Sequence, residues 1–468
     1  MVNQATILLA TDEAVAGNKA LQQYIEHTTD DYCTLWLEGE LLVVMKNIKE
    51  QKQTSEKIRM LAGAIARKLS SHRVEKATVQ EKTLAEGFSN LQVKAAVTAF
   101  VEGWHLGTYA FLPYKSKEKP FSTTLEIIGD GCQKYVETGR IRAEATAFSR
   151  DLMNERPSAL NPETFPERLR EAFSDTNVKV TVFDKTELEA MQMNGVLTVS
   201  QGSQYAPAFV ELTYQSDASK PLVALVGKGV TFDTGGITLK KSKDISNMRM
   251  DMGGAAAVSG AMKLLAKSGA NVNVTALIPI VENMPDAHAM LPGEVIRYKN
   301  GHTVQIGNTD AEGRLILADG LIRAGELKAD YVVDIATLTG AIVNALGTRL
   351  AGVFGAEQLA MKMKQIGDAN GDFNWPMPLV DAYDSYLDSD YADFSNTSSK
   401  AMAGSITAAL FLRRFVIDPS KWLHVDMAGV MESREAGYYP KGASGFGARL
   451  LADFVEDVSS SASDTKHH

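Results

Sequence analysis

The chain has 468 residues, of which 45% are hydrophobic and 22% charged, a composition typical of a globular protein with two or three domains. Its net charge of −9 argues against broad binding to nucleic acids. The two cysteines, Cys33 and Cys132, are too few for a disulfide scaffold or a thiolate metal site, and they suit a reducing cytoplasm.

Neither the first residues nor the most apolar segment predicts secretion or membrane insertion. The first residues lack the basic segment and the cleavage site of a signal peptide. The most apolar long run follows Asp330, and it is interrupted by Asp334, which is unfavourable in a membrane span. We therefore expect a cytoplasmic protein that does not enter a membrane.

The first third of the chain mixes strand and helix patterns. Residues 30–37 have strand character, whereas 55–70 and 91–111 repeat apolar residues at helical spacing. This part has no clustered acids or histidines and no recognisable catalytic motif. It is predicted to be a smaller N-terminal α/β domain over residues 1–139.

A charged helical stretch over 140–154 predicts a linker helix within 140–156, which Pro157 should end. Asn161 followed by Pro162 predicts the start of the next helix, as N-cap and first helical residue. The catalytic domain is predicted over 157–458. The polar ending, 459–468, is predicted to be a disordered tail or the remnant of a purification tag.

Strand and helix patterns alternate beyond this boundary. Residues 221–227 form a continuous apolar run, as buried parallel strands do, and 253–267 form a helix rich in small residues. The alternation predicts a larger C-terminal α/β domain with a central, mostly parallel sheet. In such sheets, ligands bind at the carboxyl ends of the strands.

Four acidic residues lie where predicted strands end or helices begin. They are Asp233, Asp251, Asp310 and Glu312, and they are accompanied by Lys228, Lys240 and Arg314. Each acid alone has a structural interpretation. Thr309 and Glu312 match a capping box, Asp251 could stabilise a helix N-terminus, and Asp233 could be a turn residue. None of these explains the whole set.

A shared metal site explains the set better. Two divalent cations would balance four converging carboxylates, and metal pairs about 3.5–4 Å apart activate a water molecule and polarise a scissile carbonyl. Oxygen-rich ligation suits Mg, Mn or Zn. Asp310 and Glu312 are two residues apart, so on extended backbone they would point the same way.

Three segments, VGKGVTFDTGG, MRMDMGGAAAVSGAM and NTDAEGRLILADGL, strongly resemble the leucyl aminopeptidase family of hexameric, dinuclear-metal exopeptidases. The resemblance covers most of the chain from about Arg150 to Asp457, and the first third only weakly. It implies a metal-dependent aminopeptidase that acts on peptides as a homohexamer.

The resemblance also implies roles for individual residues. The metal ligands would be Lys228, Asp233, Asp251, Asp310 and Glu312, holding two ions of Zn or Mn. Asp233 and Glu312 would bridge the metals, and Lys228 would need a depressed pKa because a lysine ligand must be neutral. Lys240 would stabilise the developing oxyanion, and Arg314 would hold a bicarbonate ion that serves as general base.

An adaptable apolar pocket for the first side chain of the peptide is implied as well, with a preference for Leu and Met. Its residues would be Met248, Asn308, Thr337, Leu338, Gly340, Ala428 and Met431. The chain departs from the family at Thr234, where serine is usual, and at Gly307, where a bulkier residue is common. Neither departure removes a ligand.

Two other functions stay open at this point. Four acids and two metals would also serve a dinuclear phosphoesterase, although such sites commonly add histidines and these motifs have none. Some family members bind DNA through the hexamer, so a DNA-binding hexamer with secondary peptidase activity is the other alternative. The acidic net charge argues against it.

Overall fold

A computed structural model of the chain describes residues 4–37, 39–46, 54–116, 121–433 and 440–464. It divides into two compact units, the first built mainly from Met1–Ala147 and the second mainly from Phe148 onward. Each unit combines strands with helices, which confirms the predicted pair of α/β domains. The chain passes from the first unit to the second within the helix Gln133–Asn154.

In its described part, the first unit has a five-stranded sheet in the order β2-β3-β1-β4-β5. The strands are β1 (Gln4–Leu9), β2 (Tyr32–Leu37), β3 (Glu40–Met45), β4 (Lys76–Gln80) and β5 (Thr124–Ile128). The helices are α1 (Glu13–Ala16), α2 (Lys19–His27), α3 (Ser55–Ser71), α4 (Glu81–Gly87), α5 (Val93–Thr108) and α6 (Gln133–Asn154). Helices α3 and α5 confirm the two helical patterns of the first third.

The remaining elements follow from residue 164 onward. The strands are β6 (Lys179–Phe183), β7 (Ala208–Gln215), β8 (Leu222–Gly227), β9 (Gly229–Asp233), β10 (Asn273–Asn283), β11 (Val295–Arg297), β12 (Thr303–Gln305), β13 (Tyr331–Ala336), β14 (Ala351–Gly355), β15 (Asn374–Pro376), β16 (Phe394–Ser395), β17 (Trp422–Asp426), β18 (Glu432–Ser433) and β19 (Gly442–Ala443). The helices are α7 (Thr164–Phe173), α8 (Lys185–Met191), α9 (Asn194–Val199), α10 (Gly253–Ser268), α11 (Glu312–Glu326), α12 (Gly340–Leu346), α13 (Glu357–Asn370), α14 (Gly404–Arg413) and α15 (Ala448–Asp464). Among the described residues, no helix has the length and apolarity that a bilayer crossing requires.

The large sheet of the second unit runs in the order β15-β14-β17-β13-β8-β10-β7-β6, and β9 pairs with β10. Its central strands β17, β13, β8 and β10 are parallel, and antiparallel pairs occur towards both edges. This arrangement confirms the predicted, mostly parallel sheet. All eleven residues of β10 are buried, as the apolar pattern of a doubly covered strand predicts.

A smaller sheet, β11-β12-β16, lies in the same unit. Within it, β12 and β16 are parallel, and Gln305 pairs with Ser395. Residues that follow the two strands therefore leave the sheet at the same edge. Those residues are the 306–312 segment, which carries the predicted ligands Asp310 and Glu312, and Asn396.

Two sequence predictions differ from the structure at their edges. Helix α7 begins at Thr164 and not at Pro162, because Pro166 has no N–H to bond the carbonyl oxygen of Pro162. Asn161 still makes the hydrogen bonds of an N-cap: its side chain accepts the amides of Glu163 and Thr164, and its carbonyl oxygen accepts the amide of Phe165. Helix α15 continues to Asp464, into the predicted tail, and Ser459 is buried there. The terminal histidines lie outside the described residues.

Candidate metal centre

The five predicted metal ligands all lie at the carboxyl edge of the large sheet or directly beside it. Lys228 follows β8, and Asp233 is the last residue of β9. Asp251 stands between a short 3-10 helix over Ser246–Met250 and α10, while Asp310 and Glu312 lie at the start of α11. The fold thus brings together residues that are spread over more than 80 positions of the chain.

Lys228 lies at the buried end of the site. Its Nζ is 2.7 Å from Asp251 Oδ2 and 3.0 Å from Glu312 Oε1, and it donates a hydrogen bond of 3.0 Å to the carbonyl oxygen of Thr337. These three contacts fix the ammonium group between two carboxylates that come from different elements.

Lys240 joins the other two acids. Its Nζ is 2.6 Å from Asp233 Oδ2 and 2.5 Å from Asp310 Oδ1, and a fifth of its side chain is exposed. The side chain of Lys240 therefore reaches the site from the solvent side.

Three of the predicted ligands form a group suited to a cation. Ligand atoms of Asp233, Asp310 and Glu312 all lie within 4.8 Å of one another. If all of these groups are ionised, the four carboxylates and the two lysines, Lys228 and Lys240, have a net charge of −2. A bound cation would neutralise this remaining charge. Carboxylate oxygens suit Mg, Mn and Zn, so the residues present fit divalent ions.

The charges of the site shift its pKa values. Burial lowers the pKa of Lys228, but Asp251, Glu312 and Asp233 outweigh burial and raise it above the ordinary lysine value. Without metal ions the carboxylates therefore favour the ammonium form, and the depressed pKa that Lys228 would need beside two cations stays a prediction. Burial also raises the pKa of Asp251 to about 8.

Arg314 is buried in the first turns of α11. One of its terminal nitrogens, Nη1, donates a hydrogen bond of 2.8 Å to the carbonyl oxygen of Asn396, whereas its Nε is buried and has no hydrogen-bond acceptor. Burial lowers the pKa of Arg314 to about 10, against the opposing effect of Glu312 and Asp426. A buried cationic donor without an acceptor is a suitable partner for a small anion.

The predicted capping box of Thr309 and Glu312 is wrong. Helix α11 begins at Glu312 after Ala311, and it has no side-chain cap. Thr309 instead donates to the carbonyl oxygen of Gly235 and accepts from the amide of Thr238. Glu312 points at Lys228, so electrostatics in the site override the local helix signal.

Several of the predicted substrate-binding residues adjoin the ligands. Thr337 donates its hydroxyl to Asp251 Oδ1, and Asp251 donates its amide to the carbonyl oxygen of Met248. Asn308 accepts the amide of Asp310. A methyl group added at Gly340 would meet no atom within 4 Å, so this residue faces open space.

The other three predicted pocket residues are held by neighbours that the sequence did not single out. The amides of Leu338 and Ala428 both donate to Asp426 Oδ1. Met431 is buried, and its carbonyl oxygen accepts from Ser444. A role of these seven residues in binding a peptide stays a prediction.

Sequence analysis missed three buried residues that hold the site together. Asn283, at the end of β10, donates to Asp233 Oδ1 and to the carbonyl oxygen of Thr309. Asp426, at the end of β17, accepts from the loop after β13. Asn396 contacts the segment before α11. Only their position after strands, where ligands collect, could have pointed to them.

Gly313 allows Lys228 to reach its partners. A Cβ atom at this position would lie 2.6 Å from Lys228 Cε and 2.8 Å from its Nζ. We expect Gly313→Ala to displace the Lys228 side chain and to lower metal affinity and activity by about 10- to 100-fold. Titration of the metal-free protein with Mn would measure this.

A matched control for this variant is Gly17→Ala, since a Cβ there would make only an ordinary contact of 3.5 Å. It should bind metal as the wild type does. Equal metal affinity in Gly313→Ala and the wild type would contradict the packing argument.

Carboxylates and lysines that converge at the carboxyl edge of a mostly parallel sheet are typical of the ligand-binding or active site of an α/β protein. The family model described as "Cytosol aminopeptidase family, catalytic domain" matches residues 147–452, and its N-terminal domain model matches 49–118. The chain therefore belongs to the cytosol aminopeptidase family, and it is an aminopeptidase, a hydrolase of peptides.

Individual relatives agree with this assignment. The chain is 38% identical to a probable cytosol aminopeptidase of Nocardia farcinica over 87% of its own length and 80% of that protein. It is 39% identical to the protein of the same name from Mycobacterium tuberculosis, over 90% and 82% of the two chains. Among solved structures, the bottromycin maturation enzyme BotP matches with a TM-score of 0.88 at 31% identity, covering 98% of this chain and all of that one. A structure of BotP in complex with Mn matches with a TM-score of 0.87.

Proposed function

We propose that this aminopeptidase removes N-terminal residues, preferably Leu, Met and other apolar ones, by means of two divalent ions held at the carboxylate cluster. The observation that carries the proposal is the set of ligand atoms from Asp233, Asp310 and Glu312 within 4.8 Å of one another. Lys228 and Asp251 would complete the ligand set beside them.

The bound ions, Zn or Mn, would polarise the scissile carbonyl and lower the pKa of a water molecule that attacks it. Ions held by Asp233, Asp310 and Glu312 would also offer a site for the free amine of the peptide, which would restrict cleavage to the N-terminal residue.

Two side chains of the site would assist the reaction. Lys240 reaches the site from the solvent side, where its ammonium group would donate to the oxyanion that forms from the carbonyl. The unsatisfied Nε of Arg314 would hold a bicarbonate ion, which would serve as general base.

The preference for apolar residues rests on the predicted pocket. Met248, Leu338 and Ala428 offer apolar contact, and Gly340 leaves space for a long side chain. A methionine side chain adapts its shape, so we propose a preference that is broad.

The family resemblance motivates the proposals about location and assembly. We propose a homohexamer in the cytoplasm, where Cys33 and Cys132 would stay reduced; both are buried free cysteines. Sedimentation of the purified protein would measure its assembly state.

Hydrolysis of leucine p-nitroanilide tests the mechanism. We expect activity to vanish after chelation and to return when Mn or Zn is added. Mass spectrometry should find two bound ions per chain at the metal concentration where activity reaches its maximum. An N-acetylated substrate should not be cleaved, because its amine cannot bind the metal. Full activity in the chelated protein, or saturation at one ion, would contradict the proposal.

The two alternative functions have their own readouts. A phosphoesterase would release phosphate from p-nitrophenyl phosphate with the same metal dependence. A DNA-binding hexamer would shift a DNA fragment in a gel at physiological salt, and the net charge of −9 disfavours it.

A further inference from the structure

Asn396 lies immediately after β16, beside the segment that carries two of the predicted metal ligands. Strand β12 leads into that segment and is parallel to β16, with Gln305 paired to Ser395. The amide of Asn396 donates to the carbonyl oxygen of Gln305 and so continues this pairing by one step. The side chain of Asn396 is completely buried.

The side chain of Asn396 uses its full hydrogen-bonding capacity on that segment. Its Oδ1 accepts the amides of Gly307 at 2.8 Å and Asn308 at 3.3 Å. Its Nδ2 donates to the carbonyl oxygens of Asn308 at 2.8 Å and Ala311 at 3.3 Å. A buried amide with all of its groups satisfied fixes the backbone that it contacts.

These contacts enclose the backbone of Asp310. The segment 307–311 is neither strand nor helix, so side-chain contacts hold it. Asn283 and Gly235 bind it at Thr309, whereas Asn396 binds it on both sides of Asp310, at Asn308 and Ala311. Gly307 contributes to the fit, because a Cβ atom there would lie 2.6 Å from the side chain of Thr397. The glycine that departs from the family pattern therefore lets the Asn396 segment approach closely.

The main chain of Asn396 binds the side chain of Arg314, the second residue with a role in the proposed reaction. Its carbonyl oxygen accepts a hydrogen bond of 2.8 Å from Arg314 Nη1. Because the side chain anchors Asn396 to the segment before α11, the carbonyl oxygen has a fixed position. It therefore sets the direction in which the unsatisfied Nε of Arg314 points.

We propose that Asn396 is a positioning residue for the aminopeptidase reaction: its side chain fixes the Asp310 segment, and its carbonyl oxygen orients the Arg314 guanidinium. This rests on the proposed function, in which Asp310 is a metal ligand and Arg314 holds the anion that serves as general base. Asn396 is not itself one of the predicted metal ligands or pocket residues.

The test is Asn396→Ala in the full-length protein loaded with Mn. We expect a loss of about 10- to 100-fold in kcat for leucine p-nitroanilide, as for residues that orient metal ligands, with a KM within about threefold of the wild type. Rates are measured at a temperature where hydrogen exchange shows the variant to be folded.

Asn374→Ala provides a matched structural control. Asn374 is equally buried, and its Nδ2 donates to the carbonyl oxygens of Met363 and Asp372. This variant should lose stability and keep its kcat. If Asn396→Ala, folded and loaded with metal, also has a kcat within twofold of the wild type, the proposal is wrong.

A double-mutant cycle with Arg314→Met separates positioning from general destabilisation. If Asn396 acts through Arg314, the double variant should lose clearly less activity than the product of the two single losses. Losses that simply multiply would overturn the link to Arg314. A wild type whose activity needs no metal would instead refute the proposed function, so the two failures are distinguishable.

Discussion

Replacing Asp233 with asparagine should leave the chain folded and reduce kcat by about 10³-fold, which corresponds to about 4 kcal/mol of transition-state stabilisation. Asp233 belongs to the carboxylate group suited to a cation, and its Oδ2 lies 2.6 Å from Lys240 Nζ. The amide side chain would carry no charge to bind an ion. An NH₂ group in place of Oδ2 would also face the ammonium group of Lys240.

The fold should tolerate this change, because the isosteric side chain keeps its main structural bond. Asp233 Oδ1 accepts the amide of Gly235 at 2.9 Å, and an asparagine oxygen can do the same. Gly235 has a φ of 89°, so the turn depends on glycine and not on the charge at 233.

Asp319→Asn is the matched control, since Asp319 is a buried aspartate of the same unit that accepts the amide of Val196. It should keep both the bound metal and kcat. Mass spectrometry and rates at saturating Mn would measure the two variants together. A kcat of Asp233→Asn within tenfold of the wild type, at full metal content, would remove Asp233 from the ligand set.

The sequence predicted those parts of the fold that follow from local patterns. The apolar run of β8, the small-residue pattern of α10 and the periodic pattern of α3 each depend on neighbours along the chain. Alternation of such patterns was enough for the parallel sheet. Placement of Asp233 and Glu312 at its carboxyl edge follows from the same rule.

Features that depend on distant contacts were not predictable. Asn283 meets Asp233 across 50 residues of chain, and Asn396 meets Arg314 across 82. No local sequence pattern indicates either pair. The two contacts depend on the register of β9 against β10 and of β12 against β16. The capping box failed for the same reason: the partner of Glu312 is Lys228, on another strand end.

The protonation of Lys228 depends on contacts that the family pattern does not contain. A neutral lysine is required once a metal ion is bound, whereas the ammonium form is favoured by the carboxylates around it without metal. If Lys228 is a metal ligand, as we propose, binding of the ion should release its proton. Without a metal ion, the ammonium group of Lys228 is the cation between Asp251 and Glu312, as that of Lys240 is between Asp233 and Asp310.

Lys228→Met should consequently destabilise the metal-free second unit by about 3–5 kcal/mol, since it leaves Asp251 and Glu312 buried without their cation. Both acids are more than nine-tenths buried, so water cannot replace the ammonium group. Hydrogen exchange of amides in β8 and β13, measured in chelator, reports the opening of this unit alone. Added Mn should reduce the deficit, because bound ions supply positive charge to the folded state only.

The deficit should also depend on pH with a definite sign. Burial already raises the pKa of Asp251 to about 8 with Lys228 in place, and removing the lysine should raise it further. Both folded proteins then bind more protons than the unfolded chain as pH rises from 6, but the wild type loses its extra proton near pH 8 and the variant keeps it to higher pH. The stability of the variant alone therefore continues to fall above pH 8, and the deficit is larger at pH 9.5 than at pH 6. Lys267→Met is the control: its pair with Asp175 is exposed, so its loss should change the stability only slightly. A Lys228→Met deficit as small as this, unchanged between the two pH values, would mean that Lys228 does not hold the acids together without metal.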